Sequence, residues 1–496
     1  MSKRTDSRLG SLATGALTAA SLLVVSGVAA ATGVVIAREF GRTEETDGLL
    51  AAYGVFIVIT IAAQAIRFAV LPTLARARDE QRLAGELVGF AAALLVVAAP
   101  LLLVAVLGAD VLAELLTGAE SEVASGTAAD ALVWIVPAGL AHVFAGLAAS
   151  GLAALDDYAT AAFGHATGAI AGLVLILLRV EPDGIVAIAW GVALNGAITM
   201  LVPSVALVLR ATRVGMPAGA ARPSGLPMPA RLGSFAVGAA LPLALQLLYL
   251  VCLAFASRLD TGDATSFVYA YLAGSALVAV TAGSLGMVTS VPLSRAGLGT
   301  AETVTHVVAT TWLALVVVGA AAGAFALAGG GAVEAALGEA FGGEVGADLG
   351  RLVVALSPWM VASIGVWVTF PLAFVAGRTR MLPALSAAAL ALQVPLAWVA
   401  AAWLELNGLA LALALTTLLV LVALLRELDA LAEAARPLAS AALLVVGVSL
   451  LAFVPSAVAL ESFAAAGVGL VLYVALLALI RPRGLVVGWR YLRALR

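Results

Sequence analysis

Arg67 stands inside a long apolar run, with Gln64 about one turn earlier on the same helical face. A cation in hydrocarbon is costly unless it is paired or hydrated, so such an arginine is a functional candidate by default. Its planar donors can meet two oxygens of a phosphate or diphosphate at once. The competing reading is that Arg67, only about two helical turns from the end of its run, snorkels to the headgroups. Arg38 and Arg258 close two other apolar runs and would ring one mouth of a helical bundle with positive charge. They could equally pair with Glu39, Asp47, Asp260 or Asp263 as interfacial salt bridges, which contribute little. Asp47 itself reads as a gate partner or as a helix N-cap. Arg38, Arg67, Gln64, Asp47 and Arg258 are therefore the candidate set for holding an anionic substrate.

Other polar residues carry less. His142, His165 and His306 each stand alone in an apolar run, where a hydrogen-bonded structural histidine is commoner than a proton relay. Asn195, Gln246, Gln393, Tyr249, Tyr269 and Tyr271 suit helix-to-helix hydrogen bonds more readily than a sugar-lined cleft. Gly329 to Gly331 have no P-loop lysine or Ser/Thr after them, so nucleotide hydrolysis is not expected. No catalytic residues, metal, cofactor or nucleic-acid partner is expected. No Asp or Glu falls securely within an apolar run, which counts against a proton- or sodium-coupled exporter. Moving an anion outward across an inside-negative membrane is favourable by about 2.3 kcal/mol per charge per 100 mV, so the potential alone would suffice as a driving force.

The elements that must position these residues are plain. The chain has 496 residues, 63% hydrophobic and 11% charged, too little polar surface to coat a water-soluble globule. Fourteen apolar stretches lie between Ser11 and Ile480, each near the ~20 residues a helix needs to cross a bilayer. The first is read as an uncleaved span, because it is roughly twice the length of a signal-peptide core. The connectors hold nearly every charge. Roughly twenty basic residues fall on one side, against Arg38, Arg42, Arg179, Arg258 and Arg351 on the other. The positive-inside rule then puts both termini in the cytoplasm and the acidic connectors 108–128 and 329–350 outside.

The chain also repeats itself at an offset near 220 residues. Arg38 falls on Arg258, Gly54 on Gly274 and Pro72 on Pro292, and Pro137 meets Pro358 after a one-residue slip. Six spans separate the matched elements, so the halves share orientation and are related by an axis along the membrane normal. The predicted fold is an all-α integral membrane protein of about 14 transmembrane helices: two pseudo-symmetric six-helix bundles plus two C-terminal helices. Residues 1–209 form the first bundle, 210–232 a cytoplasmic linker and 233–426 the second bundle. Residues 427–496 supply two extra helices and a basic cytoplasmic tail.

Two stretches, VVIAREFGRTEETDGLLAAYGVF (34–56) with IRFAVLPTLARA (66–77), and ASRLDTGDATSFVYAYLAGSALVAVTAGSLGMVTSVPLSRAG (256–297), resemble the MurJ (MviN) family of lipid II flippases. That family sits in the superfamily of multidrug and oligosaccharidyl-lipid/polysaccharide exporters. The resemblance implies alternating-access translocation of a polyprenyl-pyrophosphate-linked saccharide, lipid II first, from the inner to the outer leaflet of a bacterial cytoplasmic membrane, in peptidoglycan biosynthesis. Arg38, Asp47 and Arg67 fall on an arginine, an acidic residue and an arginine of the family pattern. Thr32, Tyr269 to Ala273 and Cys252 depart from it, each losing a charged residue that many members have. Those losses keep two alternatives open: a flippase for lipid-linked polysaccharide repeat units, and a transport-dead membrane scaffold that recruits cell-wall synthesis proteins.

Overall fold

In the computed structural model the described residues are 21, 24–118, 121–155, 157, 159–213, 227–279, 281 and 300–494; they are overwhelmingly helical, with no strand among them. The side chains of Gln64, Arg67 and Pro72 lie outside the described set, as do Lys3, Arg4, Arg8, Pro292, Arg295 and most of the 210–232 linker.

The helices are α1 (24–40), α2 (Glu44–Asp79), α3 (Leu83–Leu107), α4 (Ala109–Thr117), α5 (Glu122–Ala154), α6 (Ala159–Asp183), α7 (Val186–Arg213) and α8 (Met228–Ala256). They continue as α9 (Asp263–Val278), α10 (Thr300–Leu337), α11 (Gly343–Ala355), α12 (Ser357–Val375), α13 (Leu382–Glu427), α14 (Leu431–Ala459), α15 (Ser462–Ile480) and α16 (Arg483–Ala494). Local chemistry sets their ends. Thr43 caps α2 by accepting from the Thr46 N–H, three acids fill its first turn, and Arg76 and Arg78 sit in its last. That arrangement complements the helix dipole at both ends. Ser121 caps α5 in the same way.

Ten helices among the described residues are long and apolar enough to cross a membrane. The 46-residue α13 is one of them, and as a single rod it would be about 70 Å long, more than twice the hydrocarbon thickness. Glu405 breaks it with φ 51° and ψ −133°. A Cβ on Gly408 would lie 2.0 Å from the Ala400 carbonyl oxygen, so the chain doubles back there. Two limbs, 382–404 and 406–427, thus occupy the positions expected for spans eleven and twelve. With that division, the described residues at each of the fourteen expected span positions are helical almost throughout.

The acidic connectors 108–128 and 329–350 are largely helical: the first carries α4, and in the second α10 runs on to Leu337 before α11 begins. A short helix in the same place of each half is itself a mark of the repeat.

Contacts divide the chain into two compact units, Met1–Gly262 and Asp263–Arg496. The repeat assigns α8 to the second half by sequence, but α8 packs along α2 in the first unit, where Gly54 faces Leu250 and Leu253. The core of this unit runs along α5, with Leu49, Ala51, Ala52, Leu132 and Ile135 fully buried. Helices α6 and α7 approach backbone to backbone at Gly172 and Gly191, as small residues permit in lipid. In the second unit Gly274 of α9 packs against Met360 of α12, and as at Gly54 a Cβ there would press on a neighbouring side-chain tip, at 2.7 and 2.9 Å respectively. Phe453 of α14 inserts between Gly323 of α10 and Gly469 of α15, while the Tyr473 hydroxyl donates to the Val316 carbonyl at 2.9 Å.

Candidate functional site

The predicted site residues fall along α1, α2 and the end of α8. Arg38 lies exposed near the end of α1, just before the Gly41 turn. Gln64 and Arg67 lie on α2, and their side chains are outside the described set. Asp47 is in the first turn of α2, but it does not cap that helix; Thr43 does. Instead Asp47 Oδ2 accepts from the Gly262 N–H at 2.8 Å, while Arg42 Nε donates to the Gly262 carbonyl at 3.2 Å. Gly262 has φ +86°, and a Cβ there would sit 2.7 Å from Arg42 Nε. The start of α2 therefore clasps the connector that leaves α8. Sequence gave no warning of this clasp, whose partners are 215 and 220 residues apart.

Arg258 follows directly on the Ser257 cap of α8, its guanidinium 5.5 Å from the Phe255 ring centre. It lines a cavity of about 540 Å³ with Val111, Glu114, Leu115, Thr117 and Ser257. A second cavity, of about 420 Å³, lies at the start of α2 among Glu39, Glu44 and Glu45. That rim is acidic, so positive charge near Arg38 is partly offset locally, contrary to a simple cationic ring.

The opposite ends of these helices hold a buried ion pair that sequence reasoning missed. Arg231 of α8 donates through Nη2 to Glu86 Oε2 of α3 at 2.5 Å and through Nη1 to the Glu86 carbonyl at 3.1 Å. The two side chains are only 2% and 3% exposed. The guanidinium also lies 4.6 Å from the Phe90 ring centre, and Gly89 makes room for it: a Cβ there would be 2.5 Å from Cζ. Nearby, Arg210 Nε meets Asp157 Oδ2 at 2.8 Å, and Arg78 Nη1 donates to the Ala154 carbonyl at 2.8 Å. These arginines read as solvated connector charges in the sequence; in the folded chain they fasten α2, α3, α5, α7 and α8. A usable signal was present: Gly89 and Phe90 follow Glu86 by about one turn, as a paired carboxylate, a gap and a ring would require. The correction also touches the missing carboxylates. Span three starts at Leu83 rather than 88, which brings Glu86 inside the helix, although its charge is met by Arg231.

The histidines are not all solitary. His142 and His165 have ring centres 6.2 Å apart, and His142 meets the Phe56 ring edge-on at 5.3 Å. His142 Nδ1 lies 2.9 Å from the Ala138 carbonyl. Among the described residues no cluster could hold a metal ion.

Long apolar helices in two repeat-related sets, with most of the charge near their ends, define a multi-pass membrane protein. Solved structures place the fold more closely. A MurJ lipid II flippase in an inward closed conformation matches with a TM-score of 0.73 and 14% identity, over 94% of this chain and 98% of that one. An inward-facing multidrug resistance MATE transporter of the MOP superfamily gives 0.61 and 16%, over 84% and 94%. The eukaryotic MATE transporter AtDTX14 gives 0.60 and 16%, over 89% and 99%. At these identities the likeness is one of fold. No family model matches the chain, and no curated protein matches it in sequence.

Proposed function

We propose that the protein is a flippase for a polyprenyl-pyrophosphate-linked cell-envelope precursor, lipid II first, in a bacterial cytoplasmic membrane with both termini inside. The observation that carries this reading is the likeness to a lipid II flippase over nearly the whole of both chains, at a TM-score of 0.73 against 0.61 and 0.60 for the two MATE structures above. Arg67, with Gln64 beside it on α2, and Arg38 at the end of α1 hold the phosphates, using planar donors suited to paired oxygens. The outer faces of α14 and α15, with Leu443, Val458, Val471 and Leu479 exposed, offer apolar surface to a prenyl tail. The two repeat-related halves alternate access.

The test is rescue of a conditional lipid II flippase mutant by the full chain, alongside Arg67→Ala and Arg38→Ala. Growth with the wild type and its loss with Arg67→Ala, at equal membrane expression, is the expected result. Failure of the well-expressed wild type would remove the flippase reading for lipid II. One observation favours a scaffold as the second reading: Arg78, Arg210 and Arg231 are all engaged in fastening helices. A scaffold would leave the mutant unrescued while still recruiting cell-wall synthesis proteins.

A further inference from the structure

The cavity beside Arg258 has both charged and apolar lining. It lies where α4 and α8 both end, at Gly118 and Ser257. Two charged groups of opposite sign line it, Glu114 on α4 and Arg258 after α8. Among the described residues neither joins an ion pair, and they do not pair with each other. The Thr117 hydroxyl already donates to the Ala113 carbonyl and the Ser257 hydroxyl to the Leu253 carbonyl, so each keeps an acceptor lone pair. The C-terminus of α4 adds partial negative charge beside Glu114. The set is thus an acceptor-rich region for an ammonium with one guanidinium for a phosphate.

Apolar groups border the same cavity. Val111 and Leu115 lie one turn apart on α4, 73% and 64% exposed, while Ala113 and Leu116 on the other face are buried. A short helix with one apolar face turned outward and charge at its end belongs in the membrane interface rather than in water. Gly118, with φ +80°, turns the chain at the end of α4 beside Arg258: a Cβ built on it would lie 3.6 Å from the Arg258 Cγ, in ordinary van der Waals contact.

We infer that this cavity binds the headgroup of a zwitterionic phospholipid with a primary ammonium, of the phosphatidylethanolamine type. Glu114 takes the ammonium, Arg258 takes the phosphate, and Val111 and Leu115 lie against the upper acyl chain. An anionic lipid would set its phosphate on Arg258 but leave Glu114 facing no cation. A choline headgroup would lack the N–H donors that Glu114, Thr117 and Ser257 can accept. The inference does not depend on which substrate the protein carries.

The test is native mass spectrometry of the purified full chain in detergent, titrated in turn with phosphatidylethanolamine, phosphatidylcholine and phosphatidylglycerol of matched acyl chains, and with soluble glycerophosphoethanolamine. The wild type should take up phosphatidylethanolamine about fivefold more tightly than either other lipid, the scale of one partly exposed charge contact. Glu114→Gln should erase the preference over phosphatidylglycerol, and Arg258→Gln should weaken both lipids. Both side chains are exposed, so neither variant should lower the unfolding temperature, which is measured beside them. Equal binding of the three lipids by the wild type, or a preference unchanged in Glu114→Gln, overturns the assignment. So does soluble glycerophosphoethanolamine binding as well as the lipid, since it would remove the acyl contact from the site.

Discussion

Removing one member of the Glu86–Arg231 pair should cost more than any other single polar change in the first unit. Both groups are almost wholly excluded from solvent, so the partner left behind keeps its charge without water to hydrate it. Stranding a buried charge in this way costs about 3–5 kcal/mol. The geometry refines that figure. In Glu86→Ala, Arg231 retains the carbonyl bond at 3.1 Å and the Phe90 ring at 4.6 Å, and a desolvated cation–ring contact is worth about 2 kcal/mol. The expected net loss is about 3 kcal/mol. In Arg231→Met the abandoned carboxylate keeps only Arg82, at 3.9 Å, and the loss should be about 3–4 kcal/mol. Glu86→Leu with Arg231→Met replaces both charges by apolar groups and should lie within about 1 kcal/mol of wild type, because a buried pair exchanged for packed hydrophobes is often neutral. Unfolding of such a chain is expected to be irreversible, so the assay is the temperature at which half the protein leaves the monodisperse peak after a fixed heating time. Both single variants should fall by several degrees, the double variant should recover most of the loss, and added salt should change little because the pair is buried. The reasoning fails if the double variant loses as much as the two singles together, or if either single variant matches wild type.

Other perturbations follow from the same contacts. Gly262→Ala forces a side chain into a positive φ and against Arg42, so it should destabilise by about 1–2 kcal/mol in the same heating assay, with Asp47→Ala alone costing less. Gly323→Val places methyl groups where the Phe453 ring sits and should cost about 1–3 kcal/mol by overpacking, whereas Phe453→Ala should cost about 3–5 kcal/mol by leaving a cavity. On the proposed function, export of a diphosphate headgroup from vesicles should slow when the membrane potential is collapsed; transport insensitive to the potential but abolished by removing a proton gradient would refute potential-driven movement.

How much of this was legible in the sequence depends on the range over which each signal acts. Apolar length is local, so fourteen span positions and the order of the two halves could be read directly. The repeat gave Gly54 and Gly274 as matched positions, and both proved to be sites of close helix approach. Charge pairing is not local. Arg231 and Glu86 are 145 residues apart, and each alone looks like an ordinary connector charge. Asp47 illustrates the same limit: an acid in a helical first turn reads as a cap, and only the fold reveals that it holds Gly262. The short helices α4 and α11 were missed because the connectors were judged by charge, and an amphipathic helix of 9 or 13 residues sits below the length at which apolar content stands out.

The doubling back of α13 at Glu405 leaves its two limbs without slack. Most neighbouring spans are tied by several residues that can stretch, slide or accept an insertion, but here a single residue carries the whole reversal, with Gly408 pressed on Ala400. A shift of one limb along its axis must therefore be handed to the other at once, so the pair behaves as one lever rather than two rods. A tag or protease site inserted at that corner would separate them mechanically and offers a way to ask whether the second unit works only when they move together.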